Sequence, residues 1–222
     1  MREFSDLTSS ISLSPNNSGT RAMSIDRITP HCIVGQATEK RCQELFTDPT
    51  KKASSNYCIS CDGKVVGVVP ETKTSWCSNS GANDQRAITI QCASDNTAPY
   101  AFRDECYRTL VDLCVDICKA YGKTKLLWIE DKNKALAYKP KSDEMLLTVH
   151  RWFANKNCPG DWMYARMGNL ASEVTRRLEG EKQPEDNKLY HVQVGAYRIA
   201  ENANEMARRL KADGYDTYIV RY

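Results

Sequence analysis

The chain has 222 residues, ten of them cysteine, and a formal net charge of +3. With 41% hydrophobic residues it can bury a real core, and its length fits one ordinary domain plus a small appendage. So mild a charge argues against a nucleic-acid partner, which needs a clustered basic face, and no run approaches the roughly 20 apolar residues of a membrane span.

Residues 1–24 are rich in Ser, Asn and Thr and lack an apolar h-region, so no signal peptide is expected. The turn cluster SPNNSGT makes this segment an ordered extension over the main domain. Arg27–Val34 reads as a strand in which Ile28, Pro30 and Cys32 alternate with Thr29, His31 and Ile33. Pro30 suggests a sheet edge or a strand end. Thr38–Phe46 is a short helix capped by Thr38. Tyr57–Ser60 and Lys64–Val69 form a hairpin across Asp62-Gly63.

Ser75-Trp76-Cys77 leads into the small-polar loop SNSGANDQ, a type of segment that often holds binding residues. Trp76 either stacks on a sugar or packs over the sheet. Asn83 and Asp84 suit a turn. Arg86–Ala93 is a clear strand, and Gln91 on its polar side is either a structural hydrogen bonder or faces a site. Phe102–Tyr121 is the best helix, stopped by Gly122. Lys125–Ile129 is a strand, Glu130–Glu144 a solvated charged connector, Leu146–His150 the last core strand and Gly168–Leu178 a closing helix.

Residues 179–188, EGEKQPEDNK, form a linker. Residues 189–222 then repeat a strand-helix-strand rhythm: Leu189–Val194, Ile199–Ala212, a break at Gly214, and Tyr215–Tyr222. So short a piece is expected to dock on the main domain or pair with a second copy.

Cys92, Cys114 and Cys118 sit in apolar periodic runs, the pattern of reduced core thiols and an intracellular folding compartment. Cys58-Ile-Ser-Cys61 has no second C-x-x-C pair to complete a structural zinc site. The chemistry concentrates instead in LTVHRWFANKNCPGDW, where His150 and Cys158 are both good zinc ligands. A catalytic zinc takes a third protein ligand and leaves a position for water. Of the three histidines, His191 lies beyond the linker, which leaves His31. A lone strand histidine is usually satisfied by a backbone partner; the pairing with His150 and Cys158 reverses that reading.

The stretches ITPHCIVG, SSNYCISCDGKVV, NDQRAITIQCA and TVHRWFANKNCPGDW, in that order over residues 20–178, resemble the zinc-dependent N-acetylmuramoyl-L-alanine amidases of the amidase-2 type. That family includes phage endolysins, wall-recycling amidases and peptidoglycan recognition proteins. The tail YHVQVGAYRIAENANEMARRLKADGYDTYIVRY resembles half of a SPOR peptidoglycan-binding repeat. The resemblance implies a mixed central β-sheet flanked by helices (an α/β fold) over residues 1–178, plus a small β-α-β module at 189–222. It implies Zn2+ on His31, His150 and Cys158, with Lys156 helping to hold an oxyanion. Asn56, Trp76 and Asn83 are the substrate-side candidates.

Gln91 stands where many members have a general-base glutamate, and Ser55 where another branch has a tyrosine. Neither usual proton acceptor is present, so catalysis is expected to be impaired. An inactivated form made to trap substrate is favoured over a natural low-activity member, because the other catalytic positions are intact. The expected partner is peptidoglycan, with self-pairing through the C-terminal module. The chain is expected to be made in the cytoplasm and to reach the cell wall after release. The rival reading is a non-catalytic peptidoglycan-binding protein; a closed structural zinc site would need a fourth ligand such as Cys32.

Overall fold

The computed structural model describes residues 2–180, 194–212 and 217–220. It divides into two compact units, Met1–Lys182 and Gln183–Tyr222.

The first unit is built on a seven-stranded sheet. Its strands are β1 (Thr8–Ile11), β3 (Arg27–Val34), β4 (Tyr57–Ile59), β5 (Val65–Gly67), β7 (Ala87–Ser94), β8 (Lys125–Leu127) and β9 (Glu144–Leu147), in the order β1-β5-β4-β7-β3-β9-β8. Only the β4–β5 hairpin is antiparallel; Gly63 at its turn has φ +81°, a conformation that glycine adopts without strain. Two further strands, β2 (Asn17–Thr20) and β6 (Lys73–Ser75), make a separate antiparallel pair. The N-terminal extension thus does more than cover the domain: it supplies an edge strand to the main sheet and half of the small one.

β3 matches its expected span but not its expected place. It pairs with β7 over all eight residues and lies inside the sheet, with β9 on its other side. The β9 ladder reaches only Arg27 and Ile28. In a parallel strand alternate residues address alternate neighbours. Ile28 accepts from Thr148 on the β9 side, so Pro30 points its missing donor to where that ladder has ended. A proline is therefore tolerated in a central strand.

The two faces of the sheet differ in chemistry because side chains alternate. Ile28, Ile88, Ile90 and Cys92 join one hydrophobic cluster with residues of α3 (Asp104–Ala120) and α6 (Met167–Leu178). In α3, Cys106, Leu110, Val111, Leu113, Cys114, Ile117 and Cys118 are buried at helical spacing. The helix ends in a Schellman turn: Lys123 N–H reaches the Cys118 carbonyl at 2.8 Å and Gly122 N–H that of Lys119 at 3.1 Å. Gly122 has φ +64°.

The other face has a buried polar seam. The Thr29 and Thr148 hydroxyls are 2.7 Å apart, and both bond the Asn83 amide at 3.1 Å. Asn83 lies in the one-turn helix α2 (Gly81–Asp84) and also accepts from Arg27. Asn83→Ala removes one hydrogen bond from each of two buried hydroxyls and one from a buried guanidinium; unfolding in urea is expected to show a loss of about 3 kcal/mol.

Two stretches differ from expectation. The connector 130–144 contains α4 (Lys132–Ala137), capped by Asp131 accepting from Lys134 N–H at 2.8 Å and anchored by buried Ala135. The last core strand, β9, begins at Glu144 and ends at Leu147, so His150 lies in a following 3-10 turn, His150–Trp152. α1 (Glu39–Glu44) starts at Thr38 as expected. A short α5 (Asp161–Tyr164) precedes α6.

In the second unit the described residues form α7 (Ala200–Ala212). The expected strand Leu189–Val194 lies outside the described residues except for Val194, as does most of the expected linker. Of Tyr215–Tyr222, residues 217–220 are described and are in neither helix nor strand. No helix among the described residues is long and apolar enough to cross a membrane.

Candidate metal centre and active site

Three remote segments converge at the polar face. His31 comes from β3, His150 from the turn after β9, and Cys158 from the loop before α5. Their ligating atoms all lie within 4.8 Å of one another. Cys158 Sγ is 3.3 Å from His31 Nδ1, and the two imidazole centroids are 5.0 Å apart. These three make up the one such cluster of His, Cys, Asp or Glu among the described residues.

The donor set fits zinc. His31 is wholly buried, yet its Nε2 has no hydrogen-bond partner. Its Nδ1 is the nitrogen turned to Cys158 Sγ and so the one that faces the cluster, which leaves Nε2 on the far edge of the ring. Two tetrahedral zinc ligands sit about 3.5 Å apart when Zn–S is about 2.3 Å and Zn–N about 2.0 Å, close to the observed sulfur–nitrogen spacing. Two imidazoles and one thiolate also suit zinc chemically. Burial, and then His150, push His31 well below the usual histidine range. Burial, and then the Lys156 ammonium, lower His150. Both rings are thereby held neutral, as metal ligation requires. A hydrogen bond with Cys32 and burial push the Cys158 thiol up.

The ligand loop is tied down locally. Arg151 N–H donates to the Cys158 carbonyl at 3.1 Å, and Ala154 N–H to that of His150 at 3.1 Å. The Arg151 guanidinium bonds Asn157 and pairs with Asp161 at 3.0 Å, while lying 4.4 Å over the Tyr164 ring. Gly160 has φ +86°, and a Cβ there would meet Tyr100 Cβ at 2.8 Å, so the turn after Cys158 needs glycine.

Gln91 is the direct ladder partner of His31 on β7, so the two side chains emerge on the same face. Lys156 is exposed on the ligand loop, and its charge is felt at His150. Ser55 is buried, with its hydroxyl donating to the Tyr57 carbonyl at 2.8 Å. It offers no base.

The two asparagines are buried. Asn56 is buried, accepts from Thr89 N–H at 3.0 Å and Arg21 at 3.1 Å, and donates to the Val69 carbonyl at 3.1 Å. Asn83 is equally committed to Arg27, Thr29 and Thr148. Both are buried framework residues here, with their polar atoms committed to holding strands together. Trp76 differs, being 39% exposed with its indole N–H donating to Ser18 Oγ at 2.6 Å.

One cysteine at the site, Cys77, is not singled out by the sequence. Cys77 accepts from Gln91 Nε2 at 3.7 Å. Cys32 neighbours Cys158 and lies 3.9 Å from the Asn157 carbonyl, but it is not a member of the ligand cluster. The only signal for Cys77 was its place in a loop of binding type; its aim at Gln91 depends on long-range packing.

Residues 21–161 match the family described as N-acetylmuramoyl-L-alanine amidase, and residues 186–222 match the SPOR domain. No curated protein matches the chain. Among solved structures the chain is similar to PlyL, with TM-score 0.53 and 15% identity over 74% of this chain and 94% of that one. It is similar to an AmpD derivative, with TM-score 0.53 and 20% identity over 76% and 96%. The Staphylococcus aureus hydrolase AmiA gives TM-score 0.52 and 13% identity over 79% and 86%. At these identities the likeness is one of fold. The amidase match, by contrast, spans more than half of the sequence, and the chain therefore belongs to the N-acetylmuramoyl-L-alanine amidase family, with a SPOR domain at its C-terminal end.

Proposed function

We propose that this chain is a zinc-dependent hydrolase of the amide between the lactyl group of N-acetylmuramic acid and L-alanine, working on peptidoglycan at reduced rate. The observation that supports it most is the His31, His150 and Cys158 cluster placed beside Gln91 on the adjacent strand. His31, His150 and Cys158 would hold the ion. Bound zinc supplies a polarised carbonyl and a water whose pKa falls to about 7.

The remaining work belongs to the chain's own side chains. Lys156 brings positive charge to the edge of the cluster, where the amide oxygen becomes anionic. Gln91 can accept a hydrogen bond from water but cannot take its proton, so the transfer to the departing amine lacks its usual agent. Trp76 offers an exposed ring to a sugar. The SPOR segment would hold the protein on the wall. Self-pairing of that segment, expected from its length, gains no support from the described residues.

Zinc-loaded protein incubated with purified sacculi tests the reading, with new L-alanine amino termini as the product. Lys156→Met is expected to cut kcat by about 100-fold, the scale for loss of one oxyanion-stabilising group, while leaving one zinc per chain by atomic absorption. Loss of zinc in that variant would place Lys156 in the metal site's support instead.

A further inference from the structure

Building on the amidase reading, we propose that Cys77 is a positioning residue whose sulfur decides which end of the Gln91 side chain faces the metal centre. A glutamine amide has two ends of similar shape and opposite chemistry: one accepts hydrogen bonds, the other donates two. Beside a cation and a water that must give up a proton, only the oxygen is useful.

In this fold Gln91 Nε2 donates to Cys77 Sγ at 3.7 Å. Sulfur is a weak acceptor, but this one is fixed in place. Cys77 is 9% exposed, and its N–H donates to Asp84 Oδ2 at 3.0 Å. The next residue reinforces the lock: Ser78 Oγ donates to Asp84 Oδ1 at 2.6 Å and its N–H to Oδ2 at 3.1 Å. The Asp84 carbonyl is bonded by the buried Arg21 guanidinium. The sulfur therefore has one address, next to the amide nitrogen. That leaves Oε1 as the free end of a side chain whose ladder partner is His31. Gln91 becomes an oriented acceptor that can aim a water without deprotonating it. A reversed amide would direct two donors at a cationic centre and could orient nothing.

The test uses the full chain, zinc-loaded and labelled with 15N. The Gln91 side-chain NH2 signal is assigned by its disappearance in Gln91→Glu. Cys77→Val keeps the shape and removes the acceptor; Cys77→Ser keeps an acceptor. Expected in the parent and in Cys77→Ser is exchange of the Gln91 amide protons about tenfold slower than in an exposed glutamine, with that protection lost in Cys77→Val. Turnover should fall about tenfold in Cys77→Val with KM changed by less than about twofold, and return in Cys77→Ser. Protection that survives in Cys77→Val, or equal losses in both variants, overturns the proposal. If sacculi yield no amine from any variant, the amide signal alone decides: protection lost only in Cys77→Val supports the positioning role, even as the silence counts against the amidase reading.

Discussion

Gln91→Glu is expected to raise amine release from sacculi by about 10²–10⁴-fold, the contribution of a well-placed general base. The geometry makes this a single-group experiment. Gln and Glu are nearly isosteric, and position 91 is held on both sides by the β3 and β4 ladders, so the backbone does not move. His31 stays opposite, and the ligand cluster is untouched. The Cys77 sulfur loses its amide donor, and the carboxylate keeps its place through the two ladders. The parent is expected to show slow turnover independent of any group titrating at position 91. The Glu form should gain an acidic limb in its kcat profile, since the base works only when deprotonated. An unchanged rate would remove position 91 from proton transfer.

The second large effect concerns the ion. His31→Ala is expected to abolish stoichiometric zinc binding and with it all turnover, because His150 and Cys158 alone fall short of the three protein ligands that a catalytic zinc takes. The proton count upon binding follows from the directions of the shifts. His31 and His150 are depressed below the ordinary histidine value, so both are already neutral at pH 7 and release nothing. Cys158 is raised above the ordinary thiol value, so it is protonated at pH 7 and must lose its proton to ligate. Zinc binding at pH 7 should thus release about one proton, and affinity should weaken as pH falls. Calorimetry in buffers of different ionisation enthalpy measures this directly. Release of about two or three protons would mean that the histidines are charged in the free protein.

How far the sequence could be read depended on the range of the interactions involved. β3, β7 and α3 were legible because strict alternation and a long apolar stripe report burial directly. α4 was not, because its six residues are mostly exposed and only its Asp131 cap and Ala135 announce it. Pro30 pointed to an edge because the sequence cannot say that the β9 ladder stops at Ile28. At the site, the ligand expectation rests on scarcity and spacing: few histidines, and a Cys eight positions after His150 with Pro159-Gly160 directly behind it. Asn56 and Asn83 show where sequence leaves a residue's use open. Asparagine beside a strand suits a ligand and a buried cross-strand bond equally well, and only burial separates the two. Cys77 lacked a local signal because its partner, Gln91, is fourteen positions away and its sulfur is fixed by Asp84 through the backbone.

The most direct test of the central claim identifies the bond that is cut. Sacculi digested by the zinc-loaded Gln91→Glu chain should yield new amino termini on L-alanine and no new reducing sugar ends, with the parent giving the same product more slowly. New reducing ends, new termini elsewhere in the peptide, or no product from either chain with one zinc bound would contradict the assignment.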